Sequence, residues 1–196
     1  MKDSSETQLT DERMMKYVIP PYRKVRTFPV PRPHFDTAKK RTYEIIKHFK
    51  PNNILDVGCG VGKDYVALSM ICKEYVGVDP IKDNIKIAKK RNPDGDFRVA
   101  FMQELPFHND SFDVIYMSGV WENLPDEYNM KQGIDECIRV ARKAVIALDA
   151  TAKPRLMVER YMAVPMNLSL DIRRVNYDPV KEKANYVWVI DLRRNI

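Results

Sequence analysis

Short apolar runs alternate along this chain with stretches whose apolar residues recur every three or four positions. That alternation predicts a parallel sheet whose strands are joined by crossover helices. Strands are expected at 53–57, 75–79, 97–101, 112–117 and 144–149. Between them, Tyr65, Leu68 and Cys72 mark one helix face, Ile81, Ile85 and Ala88 a second, and Ile134, Cys137, Ile138 and Ala141 a third. The crossovers are expected to be right-handed. Ahead of the first strand a helix should run from Asp36, as its N-cap, through Tyr43, Ile46 and Phe49, and stop before Pro51. Beyond Thr151 a short helix at 155–162 is expected, followed by strands at 170–177 and 186–192 joined through Asp178-Pro179. Those two strands are expected to pair as an antiparallel hairpin at the sheet edge. The fold class is therefore α/β: a doubly wound, mostly parallel sheet of about seven strands, the last hairpin antiparallel, with helices on both faces.

At 196 residues the chain fits one compact domain, too short for a nucleotide-binding domain plus a separate substrate domain. Pro20, Pro21, Pro29, Pro31 and Pro33 deny the first segment both helix geometry and ladder donors, so 1–35 reads as an irregular arm and 36–196 as the domain. The arm carries Tyr17, Tyr22, Arg26 and further basic and aromatic residues. Residues 1–50 hold 12 Lys/Arg against 6 Asp/Glu, whereas the remaining 146 hold 21 of each. The formal charge of +6 thus lies wholly in the N-terminal quarter, where an anionic partner would be steered. No apolar run approaches the roughly 20 residues of a membrane span, and the polar start has no signal-peptide core, so a cytoplasmic location is expected. Cys59, Cys72 and Cys137 are far apart and lack metal-ligand spacing, as expected of reduced thiols.

The chemistry is concentrated in Asn53-Ile54-Leu55-Asp56-Val57-Gly58-Cys59-Gly60-Val61-Gly62-Lys63-Asp64, an apolar strand entering a glycine-rich turn that opens a helix. Glycines there let a ligand approach the backbone. A dinucleotide fingerprint requires G-x-G-x-x-G, but the third glycine comes one residue early at Gly62. Asp56 before the turn would also sit poorly beside a pyrophosphate; it suits the ammonium of an amino-acid group. A nicotinamide enzyme is demoted on both grounds. About 20 residues past the glycines, Tyr75-Val76-Gly77-Val78-Asp79-Pro80 places a carboxylate at the end of the next strand, where it can take both hydroxyls of a ribose. The plainer alternative is that Asp79 caps the helix beginning near Ile81.

These motifs, with Leu105-Pro106-Phe107 and Ser111-Phe112-Asp113-Val114-Ile115, resemble the class I S-adenosylmethionine-dependent methyltransferases, in the small type 11-like subgroup with a short loop between the third and fourth strands. The likeness covers about residues 36–150 and implies a Rossmann-like fold. It implies S-adenosyl-L-methionine as cofactor and S-adenosyl-L-homocysteine as product. Asp56, Gly58, Cys59, Gly60 and Gly62 would hold the methionine part, Asp79 the ribose, and Pro80 or Ile81 would pack on the adenine. Where the family usually has an aspartate for the adenine amino group stands Phe101, so the backbone at Met102 and Gln103, with Gln103 or Glu104 as polar contact, is expected to serve. Ser118 would lie near the methionine moiety, and Trp121 to Asn123 would face the acceptor; Trp121 reads equally as a core anchor. Relatives often carry histidine where Asn123 stands.

Methyl transfer from a sulfonium needs alignment and exclusion of water more than a dedicated base. If a base acts, His34, His108 and Glu122 are the candidates. The arm is the expected lid, bringing Tyr17, Tyr22 and Arg26 to the acceptor. The leading expectation is a small-molecule methyltransferase with an anionic acceptor. An RNA methyltransferase using the arm comes second, against which the zero net charge of the other 146 residues argues. A non-catalytic S-adenosylmethionine-binding partner module comes third. The sequence assigns neither the acceptor atom nor the oligomeric state.

Overall fold

A computed structural model describes residues 16, 33–121, 124, 126–151, 169–178 and 183–195. In chain order it contains α1 (Pro33–His48), β1 (Asn53–Val57), α2 (Tyr65–Ser69), β2 (Glu74–Asp79), α3 (Lys82–Arg91), β3 (Asp96–Val99), β4 (Phe112–Ser118), α4 (Glu127–Val140), β5 (Ala141–Thr151), β6 (Ser169–Asp178) and β7 (Lys183–Asp191). A 3-10 turn, Leu192–Asn195, follows. The expected helix at 155–162 and the Pro179 junction lie outside the described residues, as does all of the arm except Lys16 and the residues from Pro33 onward.

The seven strands form one sheet in the order β3-β2-β1-β4-β5-β7-β6. From β1 the chain winds outward through β2 and β3, then returns to pair β4 on the other side of β1, so the order reverses at the β1/β4 junction. The parallel part ends at β5, against which β7 runs antiparallel, with β6 antiparallel outside it. The expected doubly wound sheet with an antiparallel last hairpin is the observed one.

The period of two along the strands sorts side chains between two apolar layers. One layer packs Ile54, Val114, Tyr116 and Ile146 against Ala38, Ile46, Leu68, Ile85 and Ala88, from α1, α2 and α3. The other packs Leu55, Ile115, Met117 and Val145 against Met130, Ile134 and Cys137 of α4. Helices therefore cover both faces, and β4 is buried throughout its apolar run.

Several boundaries differ from expectation, each for a local reason. α1 begins at Pro33, not after Asp36, because a proline in the first turn forfeits only an N–H that has no intrahelical partner. His34 is thus helical rather than part of an arm. α2 stops at Ser69; Cys72 lies beyond it, its thiol directed to the Leu68 carbonyl. β3 ends at Val99, and Phe101 instead bridges Glu104 in a tight turn. Ala141 ends no helix: it opens β5, which runs to Thr151.

At the amino ends of the strands, Asp113 ties three elements together. Its carboxylate accepts from the Asn52 N–H (2.7 Å), Arg142 Nε (2.8 Å) and Lys143 Nζ (3.0 Å). Burial opposes its ionisation, yet the Asn52 N–H and the two cations hold its carboxyl below the ordinary range.

Candidate cofactor site at the carboxyl ends of the strands

The turn after β1 is held by the backbone of the neighbouring strand: the Gly58 and Cys59 N–H groups both donate to the Val78 carbonyl, at 2.8 and 2.9 Å. Gly58, Gly60 and Gly62 all have positive φ, at 74°, 54° and 70°. Two of them are also packed where a side chain could not fit. A Cβ on Gly58 would stand 2.5 Å from Val120 Cγ2, and one on Gly62 2.8 Å from Asn92 Nδ2. Gly60 differs, because a Cβ there would meet nothing within 4 Å among the described residues. Its missing side chain therefore leaves open space at the crest of the turn, at the switch point where open α/β sheets take their ligands.

Beneath the turn lies a buried ionic cluster. Asp56, at the end of β1, is 1% exposed and accepts from Tyr75 Oη at 2.8 Å. Asp64, just past the glycines, accepts from Lys39 Nζ of α1 at 2.6 and 2.8 Å and from Tyr43 Oη at 2.9 Å. Burial first, then the Asp64 charge, pushes the Asp56 carboxyl up to about 8, against the pull of Tyr75 and Lys39. Tyr43 and Tyr75, each raised chiefly by burial and then by its neighbouring aspartate, stay protonated and act as donors. Burial likewise raises the Cys59 thiol, which removes it as a nucleophile. Asp56 is thus a desolvated acid that an incoming cation would satisfy.

Asp79 ends β2 and is 6% exposed. Oδ2 accepts from the Gly60 N–H at 3.0 Å, while Oδ1 accepts from the Ile81 N–H at 2.9 Å and Asn84 Nδ2 at 3.0 Å. Ile81 is itself the N-cap residue of α3, so Asp79 does more than cap that helix. It couples the glycine turn to the turn after β2. With Oδ1 twice engaged and Oδ2 once, the inventory of carboxylate lone pairs leaves one further donor position at Oδ2. Burial raises its pKa even so. Pro80 and Ile81 are half-buried beside it.

Residues 100–110 replace the crossover helix between β3 and β4. Met102 and Gln103 are buried; among the described residues, the Met102 N–H and carbonyl and the Gln103 N–H make no hydrogen bond. The Gln103 side chain turns to α4, its Nε2 donating to the Asn129 carbonyl at 3.4 Å. Glu104 is exposed. At the end of β4, Ser118 Oγ is buried with no hydrogen-bond partner among the described residues. Beside it, Trp121 is 3% exposed and packs on Trp188, ring centroids 5.1 Å apart.

The fold thus gathers Asp56, Gly58, Cys59, Gly60, Gly62, Asp79, Pro80, Ile81, Met102, Gln103 and Ser118 at the carboxyl ends of neighbouring strands or in the turns that leave them. His108 is not brought there. It is exposed in the loop entering β4, at the amino end, where its carbonyl accepts from Ser111 Oγ. The short connection runs the whole height of the sheet, which carries His108 away from the site and corrects its candidacy as a base. His34 falls in the first turn of α1, while Tyr17, Tyr22, Arg26, Glu122 and Asn123 lie outside the described residues. The sequence reading passed over Lys39, Tyr43 and Asp64. Asp64 directly follows the glycine motif, and an acid at the start of a helix whose neighbours are buried was the available signal.

A glycine cradle opening on free space, one desolvated acid before it and a second beside it fit the two ends of an adenosyl amino acid. Comparison with known proteins agrees: residues 55–148 match the family described as "Methyltransferase domain". The matched stretch is a little under half of the chain, and its likeness is to a methyltransferase domain. The chain is 32% identical over 107 residues to the demethylmenaquinone methyltransferase of Thermotoga maritima, an alignment covering 54% of this chain and 45% of that protein. The chain therefore spans less than half the length of that relative. Among solved structures, the PH0226 protein from Pyrococcus horikoshii OT3 superposes with a TM-score of 0.70 at 18% identity, over 92% of this chain and 98% of that one. Geranyl diphosphate C-methyltransferase from Streptomyces coelicolor A3(2), solved with Mg2+, geranyl diphosphate and S-adenosyl-L-homocysteine, superposes at 0.62 and 12% identity, over 78% of each chain. Both structural likenesses are likenesses of fold.

Proposed function

We propose that this chain transfers the methyl group of S-adenosyl-L-methionine directly, in line, to a small anionic acceptor. The observation that carries the reading is the pairing of Asp56 and Asp79 on adjacent strand ends around the open space at Gly60. When bound, the cofactor supplies a methyl carbon that its sulfonium already makes electrophilic. Asp56 would hold the α-ammonium, exchanging a proton or an unfavourable buried charge for an ion pair. Asp79 would take one ribose hydroxyl at the free position of Oδ2, where the sequence alone suggested both. The Met102 N–H and carbonyl and the Gln103 N–H, unbonded among the described residues, would read the adenine edge, Pro80 and Ile81 would cover its face, and Ser118 Oγ would face the methionine moiety. The protein's part in the transfer is then to orient and to exclude water.

The basic N-terminal quarter supports an anionic acceptor and a role for 1–35 as a lid, with Tyr17, Tyr22 and Arg26 reaching it. A relative of the same fold is solved with a diphosphate bound, an acceptor class consistent with that charge. A base, if used, would be His34 or Glu122. The same basic segment supports RNA as the second reading. A methyl-transfer screen with labelled cofactor across metabolite and RNA pools tests both. Label in an anionic metabolite is the expected result. Label in RNA, with binding that falls steeply as salt rises, would move the assignment to RNA. Cofactor binding without transfer to any pool would leave a non-catalytic partner module.

A further inference from the structure

The segment that connects β3 to β4 has no helix of its own, and α4 grips it along its whole length. Met102 lies against Gly133, where a Cβ would stand 2.8 Å from both Met102 Cγ and Sδ. Gln132 Nε2 donates to the Gln103 carbonyl at 3.3 Å. One turn on, Glu136 Oε2 accepts the Leu105 N–H at 2.9 Å, and its carboxylate is forked onto Arg139 at 2.6 and 2.8 Å. Arg139 in turn donates to the Leu105 carbonyl (3.1 Å), the Phe107 carbonyl (2.8 Å) and Asn109 Oδ1 (3.0 Å). A bidentate pair that also holds three backbone groups fixes a strap far more firmly than a lone surface ion pair would.

We propose that the α4 face made by Gln132, Gly133, Glu136 and Arg139 is a positioning device that sets the base selectivity of the cofactor site, by fixing the Met102–Gln103 backbone. This rests on the reading that those backbone groups meet the adenine edge. The chain has phenylalanine at 101, so no carboxylate there selects an amino group. Selection falls to backbone N–H and carbonyl groups, whose directions are useful only while the strap is held. Hypoxanthine inverts the edge: it presents an oxygen where adenine presents an amino group, and an N–H where adenine presents an acceptor. A fixed backbone opposes both changes, since each leaves a buried group unpaired. A loosened backbone can turn and accept either base. These four residues contact the strap and act through it.

The test is calorimetric titration of S-adenosyl-L-homocysteine and its inosyl counterpart against the folded wild type and three variants. The wild type is expected to prefer the adenosyl compound at least tenfold. Arg139→Met, which removes the fork and its two backbone contacts, should cut that preference below threefold. Gly133→Ala should do the same by displacing Met102, although alanine favours the helix and so argues against simple unfolding. Lys131→Met, on the exposed face of α4, should leave the preference intact. Folded Arg139→Met and Gly133→Ala proteins that keep the full preference, or a wild type that binds both compounds equally, would overturn the proposal. A wild type that binds neither would instead overturn the cofactor reading beneath it.

Discussion

Asp56 is a carboxylate with one phenol for company, a second acid nearby and almost no solvent, so at neutral pH it keeps a proton that an unfolded chain would have lost. The sign follows from linkage. Because the native state binds the extra proton, Asp56 costs increasing stability as pH rises from the ordinary carboxylate range towards about 8. An ammonium placed against it reverses the preference and favours the ionised form. Affinity for S-adenosyl-L-homocysteine should therefore rise about tenfold per pH unit below about 8 and flatten above, with proton release on binding. Calorimetry at several pH values checks this, and Asp56→Asn should abolish the slope. An affinity that does not vary with pH would contradict the assigned contact. Asp79→Ala should weaken the same affinity by more than about 1.5 kcal/mol, the scale of a charge-assisted hydrogen bond. At this scale the glycines and both acids were legible in the sequence, because their chemistry depends on neighbours along the chain. Lys39 and Tyr43 were not: they reach Asp64 from a helix that starts more than 20 residues earlier.

Elements depend on which local preference wins. Asp126 caps α4 by accepting the Asn129 N–H at 2.8 Å, and Asp126→Ala should lower stability by about 1 kcal/mol in denaturant titration. Its carboxyl is held below the ordinary range by that N–H and the Asn129 side chain, so this support is lost as pH falls through the acidic range. Gly58→Ala should cost about 2 kcal/mol or more, because φ is positive there and Val120 Cγ2 lies where the methyl would go. Thermal unfolding measures it. Strand centres were readable from apolar runs, but ends were not. β5 gained Ala141 to Lys143 because pairing with β4 begins at Phe112, a long-range fact absent from the local pattern. α1 gained Pro33 because a proline that breaks a helix interior is harmless in its first turn.

For the whole molecule, the doubly wound order follows from alternating periods, and the antiparallel hairpin from two strands too close in sequence for a crossover. What the sequence pattern could not supply was the run of the β3–β4 strap. Its motif residues begin at the site, but the strap descends to the opposite end of the sheet, which is why His108 looked catalytic and is not placed to be so. No helix among the described residues is long and apolar enough to cross a membrane. The uneven charge, with +6 confined to the first 50 residues, predicts that removal of residues 1–32, which leaves α1 whole, raises the Michaelis constant for an anionic acceptor more than that for the cofactor, as steady-state kinetics on the folded truncation would show. The most direct test of the account is calorimetric titration of the folded protein with S-adenosyl-L-homocysteine and, separately, with a nicotinamide dinucleotide. Saturable binding of the first at one site per chain, with none of the second, is the predicted result; a folded protein that takes up no S-adenosyl-L-homocysteine would contradict it.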